Sequence, residues 1–152
     1  MSEVANTRCG FIAVLGAPNA GKSTLINQLV GAKVSIVTHK VQTTRIRIMG
    51  IAVREKTQLV FIDTPGIFAP RRRLDRAMVD AAWRGAAEAD RIMLVVDAKR
   101  GVDQDTQRIV DGLKKTQRKA FLILNKIDLI KRDDLLALAA KLNETGLFEE
   151  TF

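Results

Sequence analysis

Three short clusters carry residue types that could do chemistry. The first is Gly16-Ala17-Pro18-Asn19-Ala20-Gly21-Lys22-Ser23, followed by Thr24. It fits the spacing G-x-x-x-x-G-K-[ST], in which a glycine-rich turn lets successive backbone N–H groups point inward at phosphate oxygens. The helix that follows adds its N-terminal partial positive charge. Lys22 can reach the terminal phosphates of a nucleotide, and the Ser23 hydroxyl can ligate Mg²⁺. The second cluster is Asp63-Thr64-Pro65-Gly66. Asp63 is a carboxylate at a strand end, where Mg²⁺ needs an acidic partner, direct or through water. Gly66 can bring its N–H onto a γ-phosphate with no side chain in the way. The third is Asn125-Lys126-Ile127-Asp128. Asp128 can accept from the ring N–H and the exocyclic amine of guanine, a donor pair that adenine lacks. The aliphatic stem of Lys126 can cover the base plane, and the Asn125 amide can tie this loop to the first one.

Each cluster has a plainer reading. Gly16–Ser23 could be a glycine turn, Asp63–Gly66 a strand exit, and Asn125–Asp128 a polar loop of common residues. What favours the chemical reading is their context. The first lies between a strand and a helix, the second and third each directly follow a strand, and they come in an order that serves phosphate, metal and base in turn.

The elements that must position them follow from short apolar runs alternating with amphipathic stretches. Phe11–Leu15, Leu59–Ile62, Ile92–Val96 and Ala120–Leu124 read as buried strands. Arg45–Val53 alternates in part and reads as a half-exposed strand, antiparallel to Leu59–Ile62 through the connection 54–58. Helices are expected at Lys22–Val30, at Asp75–Glu88 with Leu74, Met78, Ala81 and Ala82 at helical spacing, and at Asp103–Lys115. A last helix, capped by Asp133 or Asp134, carries Leu135, Leu136, Leu138 and Leu142 and closes near Gly146. Strands buried on both faces and alternating with helices predict a three-layer α/β fold with a mostly parallel sheet and one antiparallel edge strand.

Composition narrows the class. The chain has 152 residues, 47% hydrophobic and 28% charged, which suits one domain with a real core and excludes a low-complexity or collagen-like chain. One cysteine and one histidine exclude an intrachain disulfide and leave little room for a zinc site or a histidine triad. The apolar runs are far shorter than the roughly 18 residues of a spanning helix, and the N-terminus lacks a secretory pattern. Residues 1–54 hold seven Lys/Arg against Glu3 alone, 7 − 1 = +6 of the net +8. That field favours a polyanionic ligand beside the first cluster.

With Val41-Gln42-Thr43-Thr44-Arg45 and Asp63-Thr64-Pro65-Gly66-Ile67 added, the motifs resemble the Era family among the P-loop GTPases related to translation factors. The resemblance covers the chain from Phe11 onward. It implies GTP/GDP and Mg²⁺ as ligands, with Lys22, Thr44 and Gly66 as catalytic groups and Ser23, Thr44 and Asp63 at the metal. Thr44 is taken as the switch threonine, with Thr43 as the alternative. It implies slow hydrolysis, since Ile67 stands where other GTPases place a water-orienting glutamine. Asn19 matches a K⁺ ligand of related GTPases and equally a turn residue. The implied task is small-subunit (30S) ribosome assembly with 16S rRNA, in the cytoplasm, with peripheral contact at the inner membrane face and no DNA partner.

The same resemblance implies that residues 1–152 are a C-terminally truncated GTPase domain. A last strand, a final helix and an RNA-binding KH domain would be absent, leaving Ala120–Leu124 as an open sheet edge. Rival readings are one half of a tandem-domain GTPase, a nucleotide-dependent binding module without turnover, and an ATPase. Arg71-Arg72-Arg73 reads as a solvated loop and Trp83 as core packing.

The base assignment makes one prediction. Asp128→Asn, which places a donor where two acceptor contacts are required, should shift preference away from guanine. Titration with GDP and the xanthine nucleotide checks this, and an unchanged GDP preference would overturn the assignment.

Overall fold

The computed structural model describes residues 6–31, 47–64 and 73–152. Thr43, Thr44, Pro65, Gly66, Ile67, Arg71 and Arg72 lie outside the described residues. The elements run β1 (Arg8–Gly16), α1 (Lys22–Val30), β2 (Arg47–Arg54), β3 (Thr57–Asp63), α2 (Arg73–Glu88), β4 (Arg91–Asp97), α3 (Gln104–Thr116), β5 (Ala120–Asn125), a 3₁₀ turn (Ile127–Leu129), α4 (Arg132–Asn143) and β6 (Phe148–Thr151).

The six strands form one sheet in the order β2-β3-β1-β4-β5-β6. Among the described residues only the β2–β3 pair is antiparallel, closed by a tight turn at Glu55-Lys56. β1 is central because it is apolar on both pleat faces. Ala13 and Leu15 join one core, Val14 and Ile12 the other, and Ala13, Val14 and Leu15 are fully buried. The larger core packs α2, α3 and α4 on one face through Ala82, Ala86, Ile109, Val110, Leu113, Leu138 and Leu142. On the other face, α1 lays Ile26, Leu25 and Val30 over Val14, Phe61 and Val95. This is the expected three-layer fold, and the runs Ile92–Val96 and Leu59–Ile62 are strands as read.

The edge of the sheet corrects one expectation. Residues 148–151 form a sixth strand, parallel to β5 with Ala120 opposite Phe148 and Leu122 opposite Thr151. The ladder continues through Phe152 N–H to Leu122 O at 2.8 Å and Leu124 N–H to Phe152 O at 2.9 Å. A strand therefore pairs with β5, and the edge expected to be open is covered. Phe148-Glu149-Glu150-Thr151 escaped notice because an edge strand needs no apolar alternation. Glu149 and Glu150 of this strand are exposed.

Helix ends also differ from expectation. α4 starts at Arg132 after Lys131, and no side chain caps it. Asp133 and Asp134 sit inside its first turn, where their charge complements the helix dipole. In α2, Ala82 is buried but Ala81 is exposed, so the apolar stripe runs through Ala82, Ala86 and Ala89.

α2 and α3 meet where Trp83 lies against Gly112. A Cβ on Gly112 would overlap the indole ring, whereas one on Gly85 would meet nothing within 4 Å. Gly112→Ala should therefore destabilise by about 1–3 kcal/mol through overpacking. Gly85→Ala should stabilise α2 by about 0.5–1 kcal/mol through helix propensity. Chemical denaturation of both variants checks the pair, and equal shifts would contradict this packing.

Candidate functional site

The C-terminal ends of four parallel strands bring the chemistry together. β1 runs into the glycine loop, β3 ends at Asp63, β4 at Asp97 and β5 at Asn125. The register places Val14 opposite Asp63 and Asp97 opposite Asn125, so these ends lie at neighbouring levels of the sheet. In open α/β sheets this is where ligands bind.

The loop from Gly16 to Gly21 delivers the chain into α1 with Asn19 and Gly21 in the left-handed region, at φ 64° and 92°. α1 begins without a capping side chain and without an acid in its first turn. α3 does the opposite: Asp103 accepts from the Thr106 N–H at 2.9 Å, and Asp105 sits in its first turn. The contrast leaves the first-turn donors of α1 to an anion supplied from outside the helix. Residues 19–24 and Lys126 line an open cavity of ≈ 400 Å³ there.

The Lys22 ammonium donates to Gly16 O at 2.8 Å, so its stem folds back under the loop. A Cβ on Gly16 would meet Val95 O at 2.8 Å and the Lys22 stem at 3.1 Å, which explains the need for glycine there. Burial pushes the Lys22 ammonium below the usual lysine range, and the Asp63 carboxylate offsets part of that shift. A desolvated cation at the mouth of an uncapped helix is suited to phosphate. Ser23 is exposed at the start of α1 and Asp63 is half-buried. Among the described residues no three acidic, histidine or cysteine side chains cluster as a metal cage. A hydroxyl and one carboxylate are hard oxygen donors that fit Mg²⁺, which takes few protein ligands and completes its shell with water and phosphate. Thr64 is buried, and its hydroxyl donates to Val14 O at 2.7 Å, so its side chain secures the β3 exit to β1.

The base motif is joined to the phosphate loop directly. Asn125 Nδ2 donates to Ala20 O at 2.9 Å. The amide occupies the space a side chain on Gly21 would need, so glycine is required there for both contact and conformation. Lys126, itself left-handed at φ 60°, donates through Nζ to Asn19 O at 2.7 Å and to Asp97 Oδ2 at 2.9 Å. Asp128 stands exposed in the 3₁₀ turn beyond it, an element the sequence did not suggest.

Two residues were missed. Asp97 ends β4 and accepts the N–H groups of Lys99 and Arg100 on Oδ1, at 3.0 and 3.2 Å. Burial raises its carboxyl pKa, but Lys126 and those N–H groups outweigh this and hold it below the ordinary aspartate value. Arg100 reaches Pro18 O at 3.5 Å. The available signal was an aspartate closing the strongest apolar run, with Gly101 four residues on.

Comparison with known proteins bears on this geometry. The sequence pattern of the 50S ribosome-binding GTPases matches residues 11–126. GTPase Era of Sinorhizobium medicae is 61% identical over 146 residues, covering 96% of this chain and 47% of the relative. GTPase Era of Rhizobium meliloti is 60% identical, with the same coverage. The chain thus spans about half the length of the curated relatives it matches. Among solved structures, Era in complex with MgGDPNP and nucleotides 1506–1542 of 16S ribosomal RNA superposes with a TM-score of 0.77 at 34% identity. That match covers 95% of this chain and 50% of the other. An Aquifex aeolicus Era variant bound to GDP·AlF4⁻ gives a TM-score of 0.75 at 34% identity, covering 94% and 50%.

Removal of the loop tie has a measurable cost. Asn125→Ala leaves Ala20 O without this donor and should destabilise by about 1–3 kcal/mol. It should also loosen nucleotide binding. Urea unfolding with and without GDP checks both effects, and full stability with full GDP affinity would remove the tie from the argument.

Proposed function

This chain belongs to the family of 50S ribosome-binding GTPases, and on that premise we propose that it binds GTP and GDP with Mg²⁺ and hydrolyses GTP to GDP and phosphate as a switch. The observation that carries this reading is the Asn125–Ala20 hydrogen bond, which makes the phosphate loop and the guanine motif one site. In this reading the residue roles are as follows. The α1 first-turn N–H groups and the Lys22 ammonium hold the β- and γ-phosphates. Ser23 and Asp63 would hold Mg²⁺. Mg²⁺, when bound, neutralises charge across those phosphates. Water attacks the γ-phosphorus in line, the bond to the β-phosphate oxygen breaks, and that oxygen leaves as part of GDP. The Lys22 ammonium and the loop amides stabilise the charge that develops. By resemblance Thr44 and Gly66 complete the γ-phosphate contacts, and Thr64 and Pro65 belong to the same nucleotide-binding motif.

Further details belong to the proposal. Turnover is slow, about 10⁻⁴ to 10⁻² s⁻¹, as for unassisted switches of this type. K⁺ at Asn19 is its monovalent-ion component; Asn19 lines the cavity beside Lys22. The family description refers to the large subunit, whereas the Era complex contains a 16S fragment, which is small-subunit RNA. The 61% identity to a GTPase Era, together with the 34% identity to the Era bound to a 16S fragment, favours the small subunit as the assembly context. Contact with rRNA would be made by the part of the Era relatives beyond the matched half. Peripheral membrane contact rests on the resemblance alone; among the described residues no helix is long and apolar enough to cross a membrane.

Calorimetric titration with GDP, GTP and ATP in Mg²⁺ buffer should give guanine-nucleotide binding and little for ATP. Lys22→Ala should abolish GTP binding while leaving the melting temperature within a few degrees. Unchanged GTP affinity in that folded variant would overturn the phosphate-loop assignment. GDP binding without phosphate release would leave a binding module rather than an enzyme.

A further inference from the structure

Lys126 has been treated as the side chain whose stem covers the base, yet a lysine stem has four rotatable bonds and no intrinsic course. In this structure its course is fixed. The backbone is held left-handed at φ 60°, and the ammonium is fixed between Asn19 O at 2.7 Å and Asp97 Oδ2 at 2.9 Å. The Asp97 side chain is nearly buried and that of Lys126 about one-third exposed, so water screens this contact less than an ordinary surface pair.

Asp97 is itself fixed by its other oxygen. Oδ1 takes the N–H groups of Lys99 and Arg100, closing the turn after β4. Its backbone is opposite Asn125 in the β4–β5 ladder, and Ala98 N–H donates to Asn125 O at 2.9 Å. One carboxylate therefore serves a turn with one oxygen and the base motif with the other. A stem whose two ends are both held by protein groups does not depend on a ligand to order it, and such preorganisation favours binding.

We propose that Asp97 is a positioning residue of the nucleotide site, which presets the Lys126 stem as the platform for the purine ring by holding its ammonium through Oδ2. The proposal rests on the guanine-site reading above. It assigns Asp97 a role in nucleotide retention, distinct from the turn it also closes. The two roles separate chemically. Asp97→Asn keeps an oxygen for the Lys99 and Arg100 N–H groups but presents an uncharged amide to Lys126. Lys126→Met keeps an aliphatic stem and removes the ammonium.

The test is a double-mutant cycle on the 152-residue chain, reading GDP affinity by calorimetry and release of a fluorescent GDP by stopped flow. Asp97→Asn should weaken GDP about tenfold, mostly through faster release. In the Lys126→Met background the same substitution should change nothing further. Equal loss in both backgrounds would show that Asp97 acts only through the turn and would overturn the proposal. So would unchanged GDP affinity and release in Asp97→Asn while the wild type prefers GDP to ADP. A wild type that binds ADP as tightly as GDP would overturn the guanine reading itself, and this proposal with it.

Discussion

The Asn125 amide can reach the Ala20 carbonyl only because Gly21 has no side chain. That contact joins positions 105 residues apart, and the layout of the site depends on it. Gly21 must also stand at φ 92° to turn the chain into α1, so one residue type meets two demands at one point. A larger residue would displace the amide and strain the turn together. The phosphate loop, the base loop and the start of α1 are therefore set relative to one another by a short polar contact. The apolar core below supplies the rigid strand ends from which they extend.

Those ends explain why so many site residues are polar groups at the limit of an apolar run. Within β1, β3, β4 and β5 the buried side chains are apolar and chosen for volume. At the ends of β3, β4 and β5 the apolar run stops at Asp63, Asp97 and Asn125, and the Asp97 and Asn125 side chains turn to Lys126 and to Ala20 of the phosphate loop. Lys22 shows the electrostatic side of this arrangement. Its ammonium is held in a partly desolvated position that lowers its pKa, with Asp63 close enough to offset part of that cost. The α1 terminus, left without a cap or an acid, adds to the same positive site.

The three motifs and the central strands were legible because each rests on a local rule: glycine spacing for the first motif, apolar runs for buried strands, and polar residues directly after such runs for the other two motifs. The sixth strand was not, because Phe148-Glu149-Glu150-Thr151 pairs on one edge only and needs no apolar pattern. The start of α4 was misread because Asp133 and Asp134 resemble caps, yet act as first-turn charges. Asp97 was passed over for a different reason. Its value lies in a contact with Lys126, 29 residues away, and nothing near it in the chain indicates that partner. Thr64 was read with its motif, and only the fold reveals that its hydroxyl serves Val14.

The strand order also governs the sequence of events during synthesis. β1 emerges first but lies between β3 and β4, so its two neighbours are not available until residues 63 and 97 have been made. At about 5–20 residues per second, the apolar stretch 11–15 waits several seconds for each partner. The phosphate loop is translated early and completed late. The Asn125 side chain that holds it is made 105 residues after Ala20. A nascent chain of this protein therefore carries the letters of its most recognisable motif long before it has the fold that ties that motif to the loop after β5.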